Sequence, residues 1–459
     1  MSRHFDAIII GTGQAGPSLA ARFATAGMAV AIIERHKFGG TCVNTGCIPT
    51  KTLIASADAA HVARRGAEFG FVVNGDVRVD MKRVKARKDE ISGRSNKGVE
   101  GWLRGLKNCT VIQGHTRFES SRTVIVNDEV LDAEKIFINV GGRATVPAFP
   151  GVHDVPFLTN SSMVDVDFLP EQLVIVGGGY IGLEFGQMYR RFGSEVTIVE
   201  MGPRLIGHED EDVSDAVRTI LELEGIQIRP NAKCISLAKR DSRIAVGMDC
   251  DEGPPEVLGT HVLLAVGRTP NTHDLGLDQA GIATDQRGYI LVDDQLQTKV
   301  PGIWALGDCN GRGGFTHTAY NDYEIVADNL LNADHRRVSD RILTYALYTD
   351  PPLGRCGMTD AEIRNSGRAA LAVKHPMNKV GRAIEKGETQ GFMKISVDAE
   401  TKQILGAAIL GTGGDEVVQV LLDVMYAKAP YTVVQRAMHI HPTVAEFLPT
   451  VLSKLEPFA

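Results

Sequence analysis

The sequence contains no run approaching the roughly 20 apolar residues that a membrane-spanning helix requires, so no membrane partner is expected. It has no Lys/Arg-rich block, and its net charge is -7, which argues against nucleic acid as a partner. Cysteine is sparse: seven in 459 residues, an odd count without the dense framework of an oxidising compartment. Cys109, Cys234, Cys250, Cys309 and Cys356 are scattered singly. With no second pair at zinc-ligand spacing, no metal site is expected. The apolar stretch Phe5 to Ile10 follows Met1 too closely for a signal peptide's three regions, so a cytoplasmic location is expected. With 43% hydrophobic and 23% charged residues, the composition is that of a globular protein, and the length suits about three domains.

The other two cysteines lie in Gly39-Gly40-Thr41-Cys42-Val43-Asn44-Thr45-Gly46-Cys47-Ile48-Pro49-Thr50-Lys51. Pro49 suits a first helical turn, where its missing N–H costs no intrahelical bond. Cys47 then falls at a helix N-terminus, whose dipole favours a thiolate. Two buried small side chains or half of a zinc site are the competing readings. The glycine and proline context favours a pair that cycles between dithiol and disulfide.

Two further stretches share one plan. Ala7 to Ile10 reads as a strand, Gly11-Thr12-Gly13-Gln14-Ala15-Gly16 as a glycine turn, Pro17 to Ala26 as a helix and Ala29 to Ile33 as a strand closing on Glu34. Leu173 to Val176, Gly177-Gly178-Gly179-Tyr180-Ile181-Gly182, Leu183 to Phe192 and Val196 to Val199, closing on Glu200, repeat it. In that context the glycines Gly11, Gly13 and Gly16, and again Gly177, Gly179 and Gly182, form dinucleotide fingerprints. They admit a pyrophosphate at a helix N-terminus, with an acid following for a ribose. Two copies mean two nucleotide sites.

Between the two copies, Thr50 to Gly105 is helical in pattern, and Thr110 to Val140 forms short strands ending at Gly141-Gly142. Alternating strands run from Ile226 to Val266, before Gly267-Arg268. Thr298 to Asp308 is a turn and strand ending on a carboxylate, either a ligand contact or the cap of a helix that follows from about Thr316. Beyond Pro351-Pro352, Arg382 to Ile395 and Ile404 to Leu410 read as strands and Asp415 to Ala427 as an amphipathic helix.

Taken together, the two fingerprints, the Cys42–Cys47 stretch, Thr298–Asp308 and the terminal His441-Pro442-Thr443-Val444-Ala445-Glu446 resemble the flavoprotein disulfide reductases. That family includes lipoamide dehydrogenase, glutathione reductase and the core of mercuric reductase, and the resemblance spans essentially the whole chain. It implies an α/β protein with two Rossmann-like domains, for FAD and NAD(P), and an α+β dimerisation domain. The divisions are 1–146 and 272–340 for FAD, 147–271 for NAD(P) and 341–459 for the interface of a homodimer. It implies that Gly11, Gly13, Gly16, Glu34, Thr41, Lys51, Gly114, Gly141, Asp308, Phe315, Thr316 and His317 serve FAD. Gly177, Gly179, Gly182, Glu184, Glu200 and Gly267 serve the nicotinamide nucleotide.

By the same resemblance, Cys47 lies against the flavin and Cys42 attacks the substrate disulfide. His441 of the other subunit carries the proton, and Glu446 orients its imidazole. His439 reads as a packing residue.

Glu200 favours NAD over NADP, because a carboxylate repels the extra phosphate. The substrate expected is a small disulfide, a dithiol or a lipoyl group, as for dihydrolipoyl dehydrogenase. No cysteine follows Cys356, unlike mercuric reductase and the larger thioredoxin reductases, which carry a C-terminal pair. A metal-ion or quinone reductase without that pair is the alternative enzyme. A slow flavin redox sensor is the alternative from another class. Asn139-Val140-Gly141 replaces the family's usual Ala-Thr-Gly.

Overall fold

The computed structural model describes residues 2–249 and 253–458; Cys250 lies outside the described residues. Strand Arg3–Ile10 is the centre of the first sheet. It pairs in parallel with Val30–Glu34 on one side and Glu129–Ile138 on the other. Its inner residues Ala7 to Ile10 are almost completely buried, which is the all-apolar signature of a parallel strand covered on both faces. Ile303–Ala305 returns from much later in the chain to pair with Glu129–Ile138. This register places Gly307 and Asp308 beside the first fingerprint, at the carboxyl edge where open α/β sheets take ligands.

The second sheet repeats the plan with five parallel strands, in the order Gln227–Arg229, Glu195–Val199, Gln172–Val176, His261–Leu264 and Leu158–Thr159. The third is a six-stranded antiparallel sheet running from Thr344–Leu347 to Glu456–Pro457. Its central strands Phe392–Asp398 and Ile404–Leu410 are buried at every residue. Ala407 and Ile409 face a core shared with helix Gly414–Tyr426, whereas Ala408 and Leu410 face the core of the second nucleotide unit. That two-sided burial welds the third sheet to the second. No helix among the described residues is long and apolar enough to cross a membrane.

Two local expectations need correction. Arg382 opens no strand. It lies in the short helix Gly381–Glu385, and the strand begins only at Phe392. Gly387 and Gly391, at φ of 64° and 91°, break the extended run with left-handed backbone that few other residues adopt. The amphipathic helix Glu211–Leu223, with Val213, Val217, Ile220 and Leu221 buried, went unread in the sequence.

One ionic node joins all three units. Arg191, with 4% of its side chain exposed, lies 2.7 Å from Asp58 on helix Cys47–Arg64 and 2.7 Å from Asp350. It is also 2.7 Å from Glu224. Arg191→Met would leave three carboxylates without their cation, at an expected cost of about 3 kcal/mol, read as a lower urea midpoint. An unchanged midpoint would show that the node holds nothing together. Burial, opposed by Arg191, raises the Asp58 carboxyl from 3.8 to about 6. The folded value lies above the unfolded one, so the Asp58 contribution is fully present below about pH 4 and is lost as pH rises through about 6. Asp58→Asn should flatten stability over that interval.

Candidate redox active site

Helix Cys47–Arg64 starts directly after Gly46. Pro49, its third residue, occupies a first-turn position where no N–H is needed. Just before it, a Cβ on Gly40 would come within 2.8 Å of the Gly13 Cα. Glycine is therefore required where the redox segment presses on the first fingerprint. Together they wall a continuous cavity of about 1660 Å³, large enough for a dinucleotide and more.

Of the residues expected to serve FAD, Gly11, Gly13, Glu34, Thr41, Lys51 and Gly114 border this cavity, as do Gly141, Asp308, Phe315, Thr316 and His317. Gly16 lies beneath it, where an added Cβ would meet the Gly11 carbonyl oxygen at 2.3 Å. Cys42, Cys47, Gly179, Glu184 and Gly267 also border the cavity, whereas Gly177, Gly182 and Glu200 stand outside it. At Gly141, Gly179 and Gly267 an added Cβ would meet no protein atom within 4 Å. At those three points the wall is bare backbone, which a close-fitting dinucleotide can approach.

The acids that close the two fingerprints are pinned alike. Glu34 accepts hydrogen bonds from the Thr12 N–H (3.0 Å), the Thr12 hydroxyl (2.6 Å) and the His36 N–H (2.9 Å). Glu200 accepts from the N–H groups of Gly178 and Gly202, each at 2.6 Å. Asp308 sits in the short turn Gly307–Asn310 and pairs with Arg268 at 3.2 Å. It is no cap for helix Thr316–Leu331.

The two thiols differ in character. Cys47 is held low, to about 6, chiefly by the hydrogen bond from Cys42, with help from the Thr316 hydroxyl and the Lys51 charge and against burial. The same bond and burial push Cys42 upward. Thr316 Oγ1 lies 3.2 Å from Cys47 Sγ. Lys51 Nζ is 2.6 Å from Glu184 Oε2 and 4.3 Å from the Tyr348 ring centre. The Tyr348 N–H donates to the other Glu184 oxygen at 3.1 Å. This arrangement gives one thiol that ionises readily and one that stays protonated, which is what thiol–disulfide exchange needs of its two partners.

His441 is not in this cavity. Its side chain is 81% exposed, and its Nδ1 faces both Glu446 carboxylate oxygens, at 2.9 and 3.0 Å. Met438 and Ile440 beside it are 99% and 79% exposed. His439 Nδ1 instead faces the Ala437 carbonyl at 3.2 Å.

Asn139, Tyr345 and Tyr348 are among the cavity residues that no motif assigns to the site. Asn139 donates to the Gly11 and Gly13 carbonyls at 3.3 and 3.1 Å. Tyr345 and Tyr348 enter from the third sheet. Asn139 was visible as a departure from the family pattern, but the tyrosines carry no motif, and only strand order brings them to the site.

Residues 5–322 match the family model described as pyridine nucleotide-disulphide oxidoreductase, and residues 343–452 match its dimerisation domain. The chain is 35% identical over 457 residues to the probable pyridine nucleotide-disulfide oxidoreductase RclA of Escherichia coli K12, covering 98% of this chain and 99% of that one. It is 33% identical to a dihydrolipoyl dehydrogenase of Thermus scotoductus, covering 97% and 96%. It also superimposes on the solved Cu(II) complex of the HOCl-induced flavoprotein disulfide reductase RclA from Escherichia coli, with a TM-score of 0.90 and 34% identity over 98% and 99% of the two chains. Sequence and fold agree: the chain belongs to the pyridine nucleotide-disulphide oxidoreductase family, whose members pair a flavin with a nicotinamide cofactor.

Proposed function

We propose that this protein passes electrons between a nicotinamide nucleotide, FAD, the Cys42–Cys47 pair and a small disulfide or lipoyl-type dithiol. The observation that carries this reading is the Cys47 thiol, depressed to about 6, facing a dinucleotide-sized cavity beside Thr316 and Lys51. Gly11, Gly13, Glu34 and Asp308 would hold FAD, whose chemistry is to take a hydride and return electrons to the disulfide. Cys42, kept protonated until needed, is the thiol that attacks the substrate. Lys51, paired with Glu184, keeps a positive charge near Cys47 and supports its thiolate. The divisions 1–146 with 272–340, 147–271 and 341–459 serve as the FAD, nicotinamide and interface units.

Anaerobic turnover of the NADH-reduced protein on lipoamide, glutathione disulfide, Cu(II) and Hg(II) tests this reading. Rapid multiple turnover on a disulfide is expected and would also exclude a slow sensor. Activity on lipoamide no greater than on the metal ions would overturn it in favour of metal-ion reduction. That second reading is favoured by two sulfur atoms open to the same cavity and by the Cu(II) complex of the Escherichia coli relative.

NAD is the proposed coenzyme. Glu200 is fixed by two N–H donors, so it cannot swing away from a 2′-phosphate. A kcat/KM at least about tenfold higher for NADH than for NADPH is expected, and the reverse preference would withdraw the proposal.

A homodimer with shared active sites is also proposed. The His441–Glu446 pair, built but turned outward among exposed Met438 and Ile440, supports a proton carrier that serves the cysteines of the other subunit.

A further inference from the structure

Tyr345 in the cavity wall and Glu209 behind it form a buried pair that the reaction above does not use. Tyr345, 7% exposed, donates its hydroxyl to Glu209 Oε1 at 2.5 Å. Glu209 has no exposed side-chain surface, and its other oxygen is 3.5 Å from Arg355. An acid taken so far from water needs a purpose or a compensating partner.

The contacts of Tyr345 lead toward the redox thiol. Its ring stacks on Phe315, with centres 5.6 Å apart and planes at 10°. Phe315 stacks in turn on His317, at 5.3 Å and 11°. His317 Nε2 is hydrogen-bonded to the carbonyl of Thr344, the neighbour of Tyr345, at 2.8 Å. The third sheet thus grips the segment Phe315-Thr316-His317 on both sides of Thr316. Thr316 is the residue whose hydroxyl reaches Cys47.

The far end leads to the nucleotide side. The Glu209 N–H bonds to the Ile206 carbonyl at 2.8 Å, and the Ile206 N–H bonds to the Gly178 carbonyl of the second fingerprint at 2.9 Å. Glu209 is therefore anchored to the nicotinamide unit, Tyr345 to the third sheet and Thr316 to the returning part of the FAD unit.

We propose that Tyr345 and Glu209 are positioning residues, which lock the Phe315-Thr316-His317 segment so that the Thr316 hydroxyl stays on Cys47 and stabilises its thiolate. The inference rests on the role given to Cys47 above. A hydrogen bond to the charged form favours that form, and a hydroxyl on a free loop would spend part of its time elsewhere. A tyrosine serves here because it supplies both a flat ring for the stack and a hydroxyl that the buried acid can hold.

The test measures ionisation rather than turnover. In flavin-loaded protein carrying Cys42→Ser, the rate of iodoacetamide labelling of Cys47 is followed against pH by peptide mass spectrometry. Thr316→Val is expected to raise the labelling midpoint by about one pH unit. Tyr345→Phe, which keeps the ring and loses the bond to Glu209, should raise it by about half as much. The two together should do no more than Thr316→Val alone, because both act through one hydroxyl. Phe315→Leu, which removes the stack and keeps the Tyr345–Glu209 bond, should reproduce the Tyr345→Phe shift and carries the test if that variant does not fold.

A midpoint unmoved by Tyr345→Phe and by Phe315→Leu, with Thr316→Val effective, overturns the positioning role. So does a full sum of shifts in the double variant. A Thr316→Val midpoint equal to the parent's overturns the hydroxyl's part. Disulfide turnover of the otherwise unaltered protein is measured separately, so failure of this inference is distinguishable from failure of the functional reading.

Discussion

A heterodimer carrying Cys42→Ser in one subunit and His441→Ala in the other is expected to retain about half of the wild-type disulfide turnover, although each parent homodimer is nearly inactive. The physical ground is the placement of His441. Its Nδ1 is held by both Glu446 oxygens, as the proposed proton carrier requires, yet its side chain is 81% exposed and outside its own chain's cavity. If each site combines the cysteines of one subunit with the histidine of the other, the heterodimer gathers both lesions into one site and leaves the second intact. If each site lies within one chain, both are damaged and turnover stays near the parents' level.

The His441→Ala homodimer alone should turn over disulfides about a hundredfold more slowly or worse, the ordinary worth of a positioned acid or base. Glu446→Gln should have a smaller effect, because an amide can still orient the ring but leaves the imidazolium without its countercharge. The measurement is steady-state turnover of tagged, separately purified heterodimers. A heterodimer as inactive as its parents would refute the shared site.

Cys47→Ser is expected to cut disulfide turnover by about a thousandfold or more while leaving the protein yellow. Serine preserves size and a hydrogen-bonding group, so the cavity wall should stand, but it neither forms a disulfide nor ionises near neutral pH. Anaerobic titration separates the two capacities. The wild type should take up about two equivalents of NADH, one for the flavin and one for the disulfide, and the variant about one. A variant that still consumes two equivalents would place the second electron pair elsewhere.

The pH dependence has a defined sign. The Cys42 bond, Thr316 and Lys51 depress Cys47 to about 6, so its thiolate persists above that pH and protonates below it. Long-wavelength absorbance from a thiolate beside the flavin should therefore fade as pH drops through about 6. Lys51→Met, which removes a nearby positive charge, should move that fading to higher pH.

The sequence by itself determined the family and most of the fold. A strand, three glycines, a helix and a following acid can fold in few ways, since only bare backbone lets the turn close and a pyrophosphate approach. Both fingerprints were therefore legible as strand, glycine turn and helix without any tertiary information. The Cys42–Cys47 spacing was nearly as self-sufficient, because the Cys42 hydrogen bond that chiefly lowers the Cys47 pKa is a local feature, whereas the Thr316 hydroxyl that adds to it comes from far along the chain. Local reading failed where long-range packing decides. The pattern around Arg382 reads as a strand, because nothing nearby says that Gly387 and Gly391 take left-handed backbone. Helix Glu211–Leu223, by contrast, carries a regular apolar spacing that is legible locally.

Only the tertiary structure brought Asp308 to the first fingerprint, through the pairing of Ile303–Ala305 with Glu129–Ile138. It alone set Lys51 against Glu184, joined Asp58, Glu224 and Asp350 on Arg191, and turned Tyr345 and Tyr348 into the cavity. Those contacts link residues from separate units of the chain, and their partners are chosen by which faces the sheets bury. Spacing along one strand or helix carries no record of that choice, so motifs name the reacting groups while packing decides what surrounds them.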